Sequence, residues 1–134
     1  MKTYQILFII AGALGMFGFT PQSGSSSVEI TAKAAHALLA KEKNVVLLDV
    51  RSPREYNEER ISNTPLIPLQ FLEKKIGDLS IYKNKKIVVY CYSGNRSEIA
   101  VEILREYGFN AVSMQGGILQ WKAERYPTIS GAVK

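Results

Sequence analysis

The sequence predicts an α/β sandwich built on a parallel sheet. Two apolar runs, Val45-Val46-Leu47-Leu48-Asp49-Val50 and Ile87-Val88-Val89-Tyr90, are nearly unbroken. Such runs suit strands covered on both faces. Segments of helical spacing follow each of them, and strands that alternate with helices argue for a parallel sheet with helices packed against it. The length of 134 residues fits one domain.

In chain order, Val28-Glu29-Ile30 is a short strand candidate. Thr31 then caps a helix to about Lys43, with Ala35, Leu38 and Leu39 on one face. His36 on this helix has no acidic or thiol neighbour in sequence and reads as a surface or boundary residue. After the Val45 strand, Ser52-Pro53-Arg54-Glu55 combines a serine cap, a proline at the first helical position and a capping-box glutamate. A short helix to about Glu59 follows. Pro65 to Pro68 is a brief extended segment. Leu69, Leu72, Ile76 and Leu79 recur at helical spacing, with Gly77 as a break. Lys86 to Tyr90 is the next strand. Ser97 to Tyr107 is a helix with Ile99, Ile103, Leu104 and Tyr107 expected toward the core, and Gly108 suits its C-terminal cap. Asn110 to Met114 is the last strand. Gly116-Gly117 turns into a final helix carrying Ile118, Leu119 and Trp121, with Trp121 expected as a core anchor.

The first residues read differently. Met1-Lys2 begins the chain with a positive charge, and Ile6 to Phe19 is uncharged and apolar. That stretch is short for a membrane span, which needs about 20 apolar residues. Residues 1–24 are therefore read as an export signal with linker, or as an N-terminal anchor where no A-x-A cleavage site is evident. Residues 25–134 are read as the single folded domain. A lipoprotein would need a cysteine at the cleavage point, and the only cysteine is Cys91.

Composition excludes several classes of function. One cysteine rules out an internal disulfide and a CxxC redox pair. One histidine with one cysteine argues against a zinc site, so no metal or cofactor is expected. The net charge of +5 is scattered among acids, and only Lys83 to Lys86 comes near a basic cluster. No nucleic-acid partner is expected. The Lys83–Lys86 run precedes a strand and is read as a solvated turn at the end of the sheet away from Cys91.

Cys91 itself stands at the carboxyl end of a predicted strand, where open parallel sheets place their sites. The loop Cys91-Tyr92-Ser93-Gly94-Asn95-Arg96 must curve tightly into a helix. Gly94 allows the backbone angle that such a curve needs. Backbone N–H groups converging in the curve, a helix N-terminus behind it and the charge of Arg96 are conditions that favour thiolate over thiol. Cys91 is thus expected to react as a nucleophilic thiolate. Asp49 closes the neighbouring strand, and with Arg51 it either touches the site or forms an ion pair that fixes the loop; the structural role is favoured.

These segments resemble the rhodanese domain, a sulfurtransferase module, over about Val28 to Pro127. Leu48-Asp49-Val50-Arg51 followed by Glu55-Tyr56 is similar to the family's "DVR…EY" segment. Glu59-Arg60-Ile61 with Asn63 through Pro68 is similar to its "GHIPGAINIP" segment, except that Arg60 stands where the family usually has histidine. Cys91 through Ser97 matches the active-site loop. Met114-Gln115-Gly116-Gly117-Ile118 with Trp121 and Tyr126-Pro127 matches the C-terminal signature. The resemblance implies a three-layer sandwich with a central parallel sheet of about five strands and helices on both faces.

It also implies covalent sulfur transfer through a Cys91 persulfide, with thiosulfate or a similar small anion as donor and cyanide or a thiol as acceptor. Backbone N–H groups from Tyr92 to Ser97 would hold the persulfide. Arg96 would bind the donor or brace the loop, and Tyr92 and Ser93 would shape the pocket. Related cysteine phosphatases place one more residue between cysteine and arginine, which makes a wider cradle, and the tighter loop here favours a single sulfur atom. The chain is similar to the small periplasmic rhodaneses of the phage-shock type. The reading is therefore an exported, monomeric thiosulfate sulfurtransferase. It has no thiol besides Cys91, so an outside acceptor, possible also as a protein, must discharge the sulfur. A sulfur carrier or an adaptor with little thiosulfate turnover is the alternative.

Overall fold

The computed structural model describes residues 28–133, so the export signal or anchor over 1–24 lies outside the described residues. Four strands, β1 (Glu29–Ile30), β2 (Val45–Asp49), β3 (Lys86–Tyr90) and β4 (Asn110–Met114), form one parallel sheet in the order β1-β4-β3-β2. Four helices accompany them: α1 (Ala32–Lys41), α2 (Pro53–Glu58), α3 (Asn95–Glu106) and α4 (Gly117–Ala123). Among the described residues the sheet has four strands where about five were expected. The Pro65–Pro68 segment adds only a parallel bridge from Leu66 to Asp49. Its two prolines bring no N–H donors, so it cannot extend a ladder.

Alternation along β3 explains the three layers. Ile87, Val89 and Cys91 face one side with Leu48, Val50 and Ala111, and pack against Ala100, Val101 and Leu104 of α3 together with Leu72 and Leu79. Val88 and Tyr90 face the other side with Leu47, Val112 and Met114, and pack on Ala32 and Ala35 of α1 and Ile118 and Trp121 of α4. Both faces of the sheet are covered, which accounts for the apolar runs in β2 and β3.

Local signals hold at most element ends. The Thr31 hydroxyl accepts from the Ala34 N–H at 3.0 Å. Ser52 and Glu55 form both halves of a capping box at α2. Gly108, just past α3, takes a φ of 86°. Three expectations are corrected. The Leu69–Leu79 segment forms two 3-10 turns, Leu69–Phe71 and Ile76–Tyr82, that still bury Leu72 and Leu79. Helix α3 begins at Asn95, and Ile99 and Tyr107 are 50% and 45% exposed; its inward face is Ser97, Ala100, Val101 and Leu104. Leu119 of α4 also faces outward.

At the end of the sheet away from Cys91, the Lys83 ammonium bonds the Tyr107 carbonyl and lies 4.2 Å from the centre of the Phe109 ring. His36 is half-buried and stacks on Tyr126 at 3.8 Å between ring centres. Trp121 is buried, and its indole N–H donates to the Pro127 carbonyl at 2.9 Å.

Candidate active site

Strand β3 ends at Tyr90, and the chain turns at once into the loop that leads to α3. Gly94 sits at the sharpest point with a φ of 114°. That angle lies in the region open to glycine and disfavoured for L side chains. The turn brings the backbone over the sulfur. Gly94 N–H donates to Cys91 Sγ at 3.0 Å and Ser97 N–H donates at 3.4 Å. Of the loop amides expected to hold the sulfur, these two converge on it. Cys91 is only 1% exposed, so its sulfur is buried under the loop.

A chain of hydroxyls lies beneath the sulfur. Cys91 Sγ is 3.6 Å from Ser97 Oγ, which donates to the Gly94 carbonyl at 2.9 Å and lies 2.7 Å from Ser113 Oγ. Ser113 is on β4, on the same sheet face as Cys91. It escaped the sequence analysis, although a hydroxyl in the otherwise apolar Ala111–Met114 run is a readable signal.

The loop is also clamped from outside by α4. The Ile118 N–H donates to the Cys91 carbonyl at 2.9 Å, and the Leu119 N–H to the Tyr92 carbonyl at 3.2 Å. These amides belong to the first turn of α4 and have no carbonyl partner within the helix. The close approach requires Gly117, because a Cβ there would lie 2.3–2.5 Å from backbone atoms of Cys91 and Tyr92.

Arg96 braces the loop. Its guanidinium makes a two-pronged ion pair with Glu55, at 2.8 Å for each contact. This pairing holds the Glu55 carboxyl down at about 2, with the Arg96 hydrogen bond as the largest cause, and raises Arg96 in return. Glu55 therefore does two jobs: it completes the α2 capping box and ties α2 to the loop.

Asp49 and Arg51 form an ion pair. Both are buried, with Arg51 Nη2 2.7 Å from Asp49 Oδ2 and Arg51 Nε bonding both carboxylate oxygens. Burial opposes the Arg51 charge, but the Asp49 hydrogen bonds and charge outweigh it, and the pKa of Arg51 rises. The same guanidinium donates to the Glu59 carbonyl at 2.8 Å and to Tyr90 Oη at 3.5 Å. Burial, with Asp49 nearby, pushes the Tyr90 phenol well up.

Arg60, at the family's usual histidine position, is a buried strut. It bonds Asn63 Oδ1 at 2.7 Å and the carbonyls of Tyr56 at 3.1 Å and Gly131 at 2.6 Å. Its contacts tie the C-terminal segment down and are made away from the sulfur.

Next to the loop lies a cleft of about 430 Å³. Tyr92 and Leu119 stand at it as exposed apolar groups, with Ile118 between them and the core. Ser93, Gly94 and Asn95 make the rest of the turn; Ser93 is exposed and Gly94 buried.

Comparison with known proteins places this geometry. The rhodanese-like domain family matches residues 31–124, well over half of the chain. The thiosulfate sulfurtransferase GlpE of Coxiella burnetii is 36% identical over 91 residues, 67% of this chain and 82% of that protein. A sulfurtransferase of Allochromatium vinosum is 28% identical over 103 residues, covering 76% and 94%. An uncharacterized Synechocystis protein is 34% identical over 108 residues, 80% of this chain, and the chain spans only 59% of its length. Among solved structures, a rhodanese-related protein from Thermoplasma volcanium superposes with a TM-score of 0.69 at 38% identity, over 75% of this chain and 96% of that one. The chain belongs to the rhodanese-like domain family.

Proposed function

We propose that this chain moves sulfane sulfur from a small donor, thiosulfate or a similar compound, to a thiophilic acceptor such as cyanide or a thiol. Sulfur transfer is the family-level activity. The observation that carries the reading to this chain is the sulfur of Cys91 beneath the Gly94 and Ser97 amides. Amide hydrogens fixed in advance favour negative charge on a held atom. The same amides serve the attacking thiolate and the terminal sulfur of the product persulfide. Thiolate attack on the outer sulfur of thiosulfate forms an S–S bond to Cys91. Sulfite leaves with the electrons of the old S–S bond. A nucleophilic acceptor then bonds the outer sulfur, and Cys91 departs as thiolate. Two covalent half-reactions of this kind give ping-pong kinetics.

Intact mass of the domain from Ser25 onward, before and after thiosulfate, tests the reading beside Cys91→Ser. A gain of one sulfur atom, reversed by cyanide and absent in the variant, is the expected result. A folded, reduced protein that gains no sulfur from thiosulfate or from persulfide donors would sink it and leave the adaptor reading in front. Sulfur gained but discharged only slowly to cyanide would favour the carrier. We also propose export to a bacterial periplasm on the pattern of residues 1–24. N-terminal sequencing of protein recovered from that compartment separates a cleaved signal from a retained anchor.

A further inference from the structure

Three cationic side chains line the cleft beside the loop, and each is matched to a carboxylate. Arg51 is held by Asp49 at 2.7 Å, Arg96 by Glu55 at 2.8 Å and Lys122 by Glu59 at 2.7 Å. Glu58 also lines the cleft and pairs with Arg54 at 2.9 Å. The three cations are thus offset by Asp49, Glu55 and Glu59, and the charge of Glu58 is met by Arg54. Electrostatic complementarity decides which charged ligand a site accepts. A dianion such as thiosulfate meets no surplus of positive charge here, and it has carboxylates for neighbours. The remaining lining is apolar: Ile118, Leu119 at 44% exposure and Tyr92 at 49%.

The sulfur is buried, which adds a demand of shape. A sulfonate is a wide tripod of oxygens. The terminal sulfur of a persulfide is carried on a slim two-atom arm, which asks less room beside a buried sulfur.

We propose that the cleft binds a small organic persulfide, R–S–SH, with an uncharged apolar R group resting on Tyr92 and Leu119, and that this class is a better donor than thiosulfate. The proposal rests on the reading of Cys91 as the sulfur acceptor. The Cys91 thiolate attacks the outer sulfur, a new S–S bond forms and the old one breaks. R–S⁻ leaves with the electron pair, and the proton stays with the transferred sulfur. Glu55 is a positioning residue in this scheme. It engages both arms of the Arg96 guanidinium and so withholds that cation from an anionic donor.

The test compares donors on the folded domain by mass-resolved time courses: benzyl persulfide, glutathione persulfide with its charged body, and thiosulfate. The two persulfides share one S–S chemistry, so their ratio isolates the R group. Benzyl persulfide is expected to exceed glutathione persulfide in kcat/KM by about tenfold, within the range that apolar pocket contacts discriminate. Leu119→Asp should shrink that ratio severalfold. Glu55→Gln should lower the KM for thiosulfate with little change in its kcat, because it frees Arg96. Equal rates for the two persulfides, with Leu119→Asp silent and thiosulfate indifferent to Glu55→Gln, would overturn the proposal. Failure of every donor to load a Cys91 that iodoacetamide still alkylates would overturn both it and the sulfurtransferase reading.

Discussion

Ser97 Oγ and Ser113 Oγ lie 2.7 Å apart beneath the sulfur of Cys91, both buried. Ser97 has one proton to place and three neighbours: the Gly94 carbonyl, Ser113 and Sγ. The carbonyl can only accept, so Ser97 donates to it while Ser113 donates to Ser97. When the sulfur carries negative charge, Ser97 can turn its proton to the sulfur, and Ser113 continues to support the oxygen. Ser97→Ala is expected to slow alkylation of Cys91 by iodoacetamide at fixed pH by about tenfold, the worth of one hydrogen bond to a charged group. Ser113→Ala should slow it less, and the double variant should fall short of the product of the two, as members of one network do. Strict multiplicativity would show that the two hydroxyls act separately.

The contact of Gly117 with the loop makes a sharper prediction. Gly117 has a φ of 58°, and an added Cβ would sit 2.3 Å from the Tyr92 carbonyl oxygen and 2.5 Å from that of Cys91. These are backbone atoms and cannot swing aside. Gly117→Ala should cost upwards of ~2 kcal/mol through the left-handed backbone and the displaced loop together. It should also abolish most sulfur loading. Gly77→Ala is the control, since a Cβ there meets nothing within 4 Å. Its stability by urea denaturation should stay within about 0.5 kcal/mol of the parent. Equal behaviour of the two variants would mean that the α4 clamp does not hold the loop.

Much of this was legible in the sequence because it depends on neighbours along the chain. The apolar runs of β2 and β3, the Ser52–Glu55 capping box and the Gly94 turn are local signals, and the structure has each of them. The face of α3 is half legible: Leu104 is buried and Ile103 packs against the core as expected, while the small residues Ala100 and Val101 hold the places that Ile99 and Tyr107 were expected to take. Ala100 and Val101 pack on the sheet beside the Cys91 strand, and Ile99 is left in solvent. The pairing of Arg96 with Glu55 spans 41 positions and exists only because the fold sets α2 beside the loop. Ser113 falls between these cases. Its polarity was visible, but its purpose needs the register that sets β4 beside β3.

The Asp49–Arg51 pair predicts an asymmetry. Removing one member, as in Asp49→Ala, leaves the buried Arg51 guanidinium without its counter-charge and should cost roughly 3–5 kcal/mol. Replacing both by leucine removes the stranded charge, so the double variant should be more stable than Asp49→Ala alone, though the Glu59 carbonyl then loses a donor. Urea denaturation of the three proteins checks this. A double variant less stable than the single would mean that the Glu59 carbonyl and the Tyr90 hydroxyl hold the Arg51 guanidinium well enough to offset its burial without Asp49.

Glu55 gives a prediction in pH. Its carboxyl is held at about 2 in the folded protein by Arg96, against an ordinary value near 4.5 in the unfolded chain. The unfolded state therefore takes up its proton first as pH falls. The stabilisation from this pair is complete above about pH 4.5 and drains away as pH drops toward 2. Glu59, lowered chiefly by its hydrogen bond from Lys122, acts in the same direction. Glu55→Gln keeps an oxygen for the capping box but removes the titrating group. Its stability should thus fall less steeply than the parent's between pH 5 and pH 3, with the two proteins most different near neutrality. Thermal unfolding across that window would decide it, since parallel curves would mean that the Arg96–Glu55 bridge contributes nothing to the acid lability of the fold.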